Sequence, residues 1–228
     1  KKYEEALADY LVVIQSGRSE FLERSYRFSA NVYFFKKDFE NAYKNYNKLE
    51  TYAQSKENLL ASLIGQMRSS YKIPDAEKCL EASIKTLKNG NASKEALIEA
   101  NYYSAKILVD KKDFKQANSY ILEVKKLTSN EMAAECQYYL ALGYFNEGKI
   151  RECQEEIFKL KDDYPAYEYW VAKGFILLSE SYAYQKDYFQ ARATLESIIE
   201  NYEADDDIIP ICEQRLKEII ALEKDSKK

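Results

Sequence analysis

One short phrase recurs along the 228 residues and limits what the chain can fold into. Lys36-Lys37-Asp38-Phe39-x-x-Ala42 returns as Lys111-Lys112-Asp113-Phe114-x-x-Ala117 and again as Gln185-Lys186-Asp187-Tyr188-x-x-Ala191. A weaker copy, Glu147-Gly148-Lys149-Ile150-x-x-Cys153, an opening Lys2-Tyr3-x-x-Ala6 and a variant Lys72-Ile73-Pro74-Asp75-Ala76 complete the set. Anchored on the small residue, the copies fall at 6, 42, 76, 117, 153 and 191, at intervals of 36, 34, 41, 36 and 38. Self-similarity at such a period marks a solenoid, because a unit of that size cannot bury its apolar face until a neighbour stacks on it.

Each phrase has the chemistry of a tight joint between antiparallel helices. Asp38, Asp113 and Asp187 are placed to cap the following helix, with Gln116 and Gln190 three residues on, where a capping-box partner belongs. The small residue lets two backbones approach, and Phe39, Ala42, Tyr43, Tyr46 and Leu49 form a seam at helical spacing. Upstream helices carry their own stripes: Tyr26, Ala30 and Tyr33; Leu140, Ala141 and Tyr144; Phe175, Leu178 and Tyr182. Six Gly and three Pro are too few for the turns of a β-sandwich or the loops of a doubly wound sheet, so an all-α chain is expected.

These repeats resemble the tetratricopeptide repeat (TPR) family, whose 34-residue unit pairs two helices. The best copy, 134–165, has Leu140 and Ala141 at positions 7 and 8, Tyr144 at 11, Gly148 at 15, Cys153 at 20, Ile157 at 24 and Pro165 at 32. Copies near 23–56 and 172–205 match in the same way. The unit around Ala76 departs, lacking the usual small residue and aromatic in its first helix, and the 41-residue interval lengthens a helix or loop around 88–93. The resemblance implies a right-handed α-solenoid of about 12 helices forming a single domain over 1–228. Residues 1–17 would be the second helix of a truncated repeat and 18–205 five helix pairs. Residues 206–223 would form a capping helix opened by Asp207 with Pro210 in its first turn, and 224–228 a frayed tail. On this reading the chain is a fragment of a longer, bacterial repeat protein, any targeting segment lying outside it.

The residues argue against chemistry. With no His, the His-dependent nucleophile, zinc and acid/base systems are unavailable within the chain. Cys79, Cys136, Cys153 and Cys212 lack C-x-x-C spacing and fall on apolar faces, so unreactive thiols are expected. Glu203-Ala204-Asp205-Asp206-Asp207 lacks the glycine turn and terminal Glu of a calcium loop and reads as a solvated turn with a cap. No glycine pattern suits phosphate. Catalytic residues, cofactors and metals are therefore expected to be none. Residues 1–114 hold 19 basic and 16 acidic side chains, and 115–228 hold 15 and 22, which disfavours a nucleic-acid partner. No run approaches the roughly 20 apolar residues of a membrane span.

In the family, positions 2, 5, 9, 12 and 13 of each first helix face the concave surface. Carried over, these give a peptide-binding groove of Arg24, Arg27, Asn31, Phe34, Arg68, Tyr102, Lys106, Tyr138, Phe145 and Tyr184, with Glu135, Leu142, Lys173, Ile176 and Glu180 beside them. Arg24, Arg27 and Arg68 would make one end basic, and Glu135 and Glu180 the other acidic. Arg27 and Asn31 resemble half of a carboxylate clamp whose other half is missing, since Glu99 and Tyr103 stand where it uses basic residues. Tyr102 and Tyr138 are expected to face the groove, and Tyr103 and Tyr139 the core.

The expected function is a non-enzymatic scaffold binding a partner peptide or protein through that aromatic groove, with the oligomeric state left open. One alternative is a structural or docking segment of a longer bacterial cell-envelope protein. Asp163-Tyr164-Pro165, Tyr169-Trp170-Val171-Ala172 and Phe189 to Leu195 resemble outer-membrane assembly lipoproteins, whereas four free thiols suit a reducing, cytoplasmic setting. A further alternative is the effector-sensing repeat domain of a regulator.

Overall fold

The computed structural model describes residues 2–17 and 19–226, and among these it contains twelve helices and no strand. Two compact units divide the chain, Lys1–Lys111 and Lys112–Lys228, so the expected single array meets a boundary inside the phrase at 111–117. The first unit holds α1 (Lys2–Ser16), α2 (Ser19–Phe35), α3 (Phe39–Tyr52), α4 (Lys56–Lys72), α5 (Ala76–Leu87) and α6 (Lys94–Asp110). The second holds α7 (Phe114–Leu127), α8 (Glu131–Asn146), α9 (Ile150–Asp163), α10 (Glu168–Tyr184), α11 (Tyr188–Asn201) and α12 (Ile208–Ser226). Within each unit every helix packs on the next, and the even-numbered helices also touch one another: α2 on α4, α4 on α6, α8 on α10, α10 on α12. Each unit is thus two layers of helices, as the repeat reading requires.

The recurring phrase proves to be two motifs fused. At the end of α2, Lys37 adopts φ 61°, its N–H donates to the Phe34 carbonyl at 3.0 Å, and the Asp38 N–H donates to the Tyr33 carbonyl at 2.9 Å. This is a Schellman closure, which satisfies carbonyls left over at a helix end. The Asp38 side chain then accepts from the Asn41 N–H at 3.2 Å and starts α3. Gly148 (φ 72°) and Lys186 (φ 64°) repeat the closure, and Asp113 and Asp187 repeat the cap. The expected capping box is not completed at Asp187, because its N–H is already given to the Tyr182 carbonyl at 2.9 Å.

The same geometry corrects the register of the variant phrase. The Asp75 N–H donates to the Ser70 carbonyl, the Asp75 carboxylate caps α5 through the Lys78 N–H, and the Asp75 carbonyl accepts from the Cys79 N–H. Asp75 is therefore the counterpart of Asp38, and the small residue four positions on is Cys79, fully buried, while Ala76 is only half-buried. Copies fall at 6, 42, 79, 117, 153 and 191, at more even intervals of 36, 37, 38, 36 and 38. The extra length at 88–93 is a loop joining α5 to α6. At the other end, α12 starts at Ile208, whose N–H donates to Asp206 Oδ1 at 2.9 Å. Asp206, not Asp207, makes that bond, while the Asp207 carbonyl accepts from the Ile211 N–H at 3.1 Å. Pro210 lies in the first turn, where its missing N–H costs nothing. The helix runs on to Ser226, so Lys224–Ser226 are not the frayed tail expected, while 227–228 lie outside the described residues.

Small residues let the layers close. Ala30, Ala42, Ala117, Ala141, Cys153 and Ala191 are fully buried, and several buried serines bond nearby carbonyls, as Ser179 does across to Ala191 on α11 at 2.7 Å. A Cβ at Gly65 would overlap the Tyr46 ring, whose hydroxyl is tied to Asn31 Oδ1 at 2.7 Å and so cannot easily withdraw. All four cysteines are buried and free, and burial pushes the thiols of Cys79 and Cys212 up to about 11 and Cys153 to about 12, which leaves these three without a reactive thiolate near neutral pH.

Left-handed backbone at a lysine costs roughly 1 kcal/mol that glycine avoids. Lys37→Gly and Lys186→Gly are expected to raise stability to urea by about 0.5–1 kcal/mol each, and Gly148→Ala, with no side-chain neighbour to clash, to lower it by about 1 kcal/mol. Gly65→Ala should cost about 1–3 kcal/mol through overpacking. Urea unfolding of the four variants checks all of these.

Candidate functional site

The even-numbered layer of each unit carries a concavity. In the first unit a cleft of 260 Å³ is lined by Arg27, Asn31 and Phe34 of α2, Tyr46 of α3, and Ala61, Ile64, Gly65 and Arg68 of α4. The corrected register explains the set, since Arg27 and Asn31 recur 37 residues on as Ile64 and Arg68. The arginines are not the free basic end expected. Arg27 Nη1 donates to Asn58 Oδ1 at 2.6 Å and to Glu57 Oε1 at 3.0 Å, and Arg68 forms a two-pronged pair with Glu99 at 2.7 and 2.8 Å. Long acidic side chains from the neighbouring repeat neutralise them, and Arg24 lies over the Phe28 ring at 5.5 Å.

The second unit holds the larger concavity, an open groove of 790 Å³. Its floor is Tyr138 and Leu142 of α8 with Ile176 and Leu177 of α10, and α12 forms a wall with Pro210, Ile211, Gln214, Arg215 and Glu218. Lys173, Glu180 and Asp207 bring charge to it. The α12 wall is the part that the sequence reading missed. Adding 34 to Lys173, Ile176, Glu180 and Tyr184 gives Asp207, Pro210, Gln214 and Glu218, all four of them in the groove. The register therefore continues one helix further, and that continuation was the available signal.

The remaining expected residues scatter. Tyr102 is only 8% exposed, with the Lys106 ammonium 5.6 Å from its ring centroid, so it has little surface to offer a partner. Its neighbour Tyr103 is the more open of the pair, stacked on Tyr71 at 4.1 Å. Tyr138 lines the groove beside Trp170, with ring centroids 5.7 Å apart, and Tyr139 is buried. Phe145 and Tyr184 meet edge to face at 6.3 Å, and neither is among the residues lining the groove. Glu135 is not an exposed acidic end. It is 4% exposed and accepts a short hydrogen bond from the Tyr139 hydroxyl.

Electrostatics in the groove centre on Glu180. Burial holds its carboxyl above the usual carboxylate range; Arg215 pulls it back down, Glu218 adds to the rise, and Lys173 opposes it. Arg215 Nε sits 3.2 Å from Glu180 Oε1 and its Nη1 donates to Glu218 Oε2 at 2.8 Å. Lys173 is drawn to the Tyr169 ring, 5.9 Å from its centroid. Burial, and then Glu180, push the Tyr138 hydroxyl up to about 12. Among the described residues no group of three or more Cys, Asp and Glu could hold a metal ion, and no helix is long and apolar enough to cross a membrane.

No protein-family model and no curated protein matches the chain. Solved structures do. YrrB, a TPR protein with an unusual peptide-binding site, aligns over 91% of this chain and 97% of its own, with 18% identity and a TM-score of 0.65. MamA from Desulfovibrio magneticus RS-1 aligns over 78% of this chain and 94% of its own, with 17% identity and a TM-score of 0.63. A signal-transduction ATPase with a tetratricopeptide repeat sensor, from Pyrococcus horikoshii, aligns over 95% of this chain and 38% of its own, with 15% identity and a TM-score of 0.67.

A raised folded-state pKa means that the ionised form of Glu180 is the less favourable one, so its contribution to stability is present at low pH and lost as pH rises through the folded value. Glu180→Gln keeps the neutral form at all pH. It is expected to melt no lower than the wild type at pH 7, with the difference closing below the usual value of 4.5. A variant that melts lower at pH 7 would mean that pairing with Arg215 outweighs burial.

Proposed function

The chain has the tetratricopeptide-repeat fold, and on that fold we propose that it is a non-enzymatic interaction scaffold whose second unit takes a peptide segment of a partner protein. The observation that carries this reading is the groove between α8, α10 and α12. Its volume falls within the ~300–1,000 Å³ of ligand sites, and it joins an apolar floor to a few charged groups at the rim. A packed wall on α12 and a partly buried Tyr138 give a surface that needs little ordering before it binds. YrrB, similar over nearly the whole chain, has a peptide-binding site by its own description, which supports the class of ligand.

The first-unit cleft is the weaker candidate for the same role, being a third of the volume with its arginines already paired. Tyr102, buried, is left out of the proposed surface, and Tyr138 is kept.

Gln214 is exposed on the groove side of α12, so Gln214→Trp fills the groove without disturbing the core. Peptides selected from a displayed random heptapeptide library on the immobilised chain should bind this variant at least tenfold more weakly by calorimetry. Arg151→Trp, on the exposed face of α9, should leave binding unchanged. Equal affinity for wild type and a folded Gln214→Trp would overturn the groove assignment.

A further inference from the structure

Within the groove, one ion pair is built unevenly. Glu180 rises from α10 with its side chain 29% exposed, and its cation, Arg215, reaches across from α12 with its side chain 48% exposed. The inner partner is the more buried of the two and carries the desolvation, while the outer one sits on a long flexible stem and has a second anion, Glu218, on its own helix at 2.8 Å. Arg215 can therefore leave Glu180 without being left unpaired. Glu180 has no second ion pair among the described residues; the other cation near it, Lys173, lies over the Tyr169 ring, 5.9 Å from its centroid, and acts on the carboxyl only from a distance. Tyr138 lines the same groove, close enough that the Glu180 carboxylate opposes ionisation of its hydroxyl.

Resting on the reading of the groove as a peptide site, we propose that it selects a partner segment by one basic residue, Lys or Arg, whose cationic group replaces Arg215 at Glu180, with apolar neighbours on Leu142, Ile176 and Ile211. Charge complementarity decides this occupant over an acidic one. The groove holds Glu180, Asp207 and Glu218 against Lys173 and Arg215, and the partly buried Glu180 is the anion with most to gain. An aromatic ring in the same groove favours a cation through its face as well. The displaced Arg215 keeps its bond to Glu218, so the exchange leaves no buried charge uncompensated.

The test uses the intact chain and heptapeptides from the same displayed library, made with acetylated and amidated ends in three versions: as selected, with the basic residue changed to norleucine, and with it changed to Glu. Calorimetry should show at least tenfold weaker binding of the norleucine version, about 1.4 kcal/mol, and no measurable binding of the Glu version. Glu180→Gln should weaken the selected peptide by a similar factor while leaving the norleucine version unchanged. Arg215→Gln, which removes the competitor, should strengthen the selected peptide severalfold. If selected peptides are blocked by Gln214→Trp yet tolerate norleucine and Glu180→Gln, the basic subsite is wrong and the groove reading survives. If the selected peptides are acidic and lose affinity with Arg215→Gln, the sign of the subsite is wrong. No selection at all, or binding that ignores Gln214→Trp, defeats both.

Discussion

Everything in each unit depends on the geometry of the joint between successive helices. At Lys37-Asp38 and Lys186-Asp187 an αL residue closes one helix by giving its N–H back to the last turn, and the Asp both completes that closure and caps the helix that follows. Gly148 makes the same closure without a side-chain cap, and Asp75 makes its bond and cap after a proline that has no N–H to give. Three residues reverse the chain with its backbone groups satisfied, which fixes the angle and offset of the pair. The small residue four positions after the cap then meets the preceding helix at a constant depth, as the full burial of Ala42, Cys79, Cys153 and Ala191 shows. Because the offset repeats, alternate helices fall into one layer, and positions that are equivalent in the repeat line up across it.

That alignment produces the groove. Tyr138 and Leu142, Ile176 and Glu180, Pro210 and Gln214 are the same two repeat positions on three helices of one layer. A helix that looks from its place in the chain like a lid is thus also a working wall. Its inner side buries Ile208, Cys212 and Ile219 against the core while Ile211, Gln214 and Arg215 face the groove. Pairing within the layer sets which charges remain available. Arg27 and Arg68 are taken up by Glu57 and Glu99, whereas Arg215 shares itself between two carboxylates, one of them partly buried.

The helices and their joints were legible because the phrase encodes a backbone requirement directly: a turn residue, a cap, a small residue. The register slipped by three at Ala76 because it was anchored on smallness, which Ala76 and Cys79 share, when the joint is set by the residue that closes one helix and opens the next, here Asp75. The end of the array was misread for a related reason. The residues of α12 read as a cap and a solvated face, whereas the signal lies in the 34-residue offset that carries Lys173, Ile176, Glu180 and Tyr184 onto Asp207, Pro210, Gln214 and Glu218. The fates of Tyr102 and Tyr138 were illegible in principle. They occupy one repeat position, 36 residues apart, yet one is buried and the other lines a groove, a difference that the repeat position itself does not encode. Pairing of Arg27 and Arg68 depends likewise on long side chains some 30 residues away in the chain.

The central claim is that the α8, α10 and α12 layer of the second unit is the surface that meets a partner. Backbone amide chemical-shift mapping of the labelled chain, titrated with a library-selected heptapeptide, addresses it most directly. The account predicts perturbations concentrated at Tyr138, Leu142, Ile176, Glu180, Ile211 and Arg215, with the odd-numbered helices α7 and α9 quiet. Perturbations centred on those outer helices, or spread over the first unit with the groove silent, would contradict it.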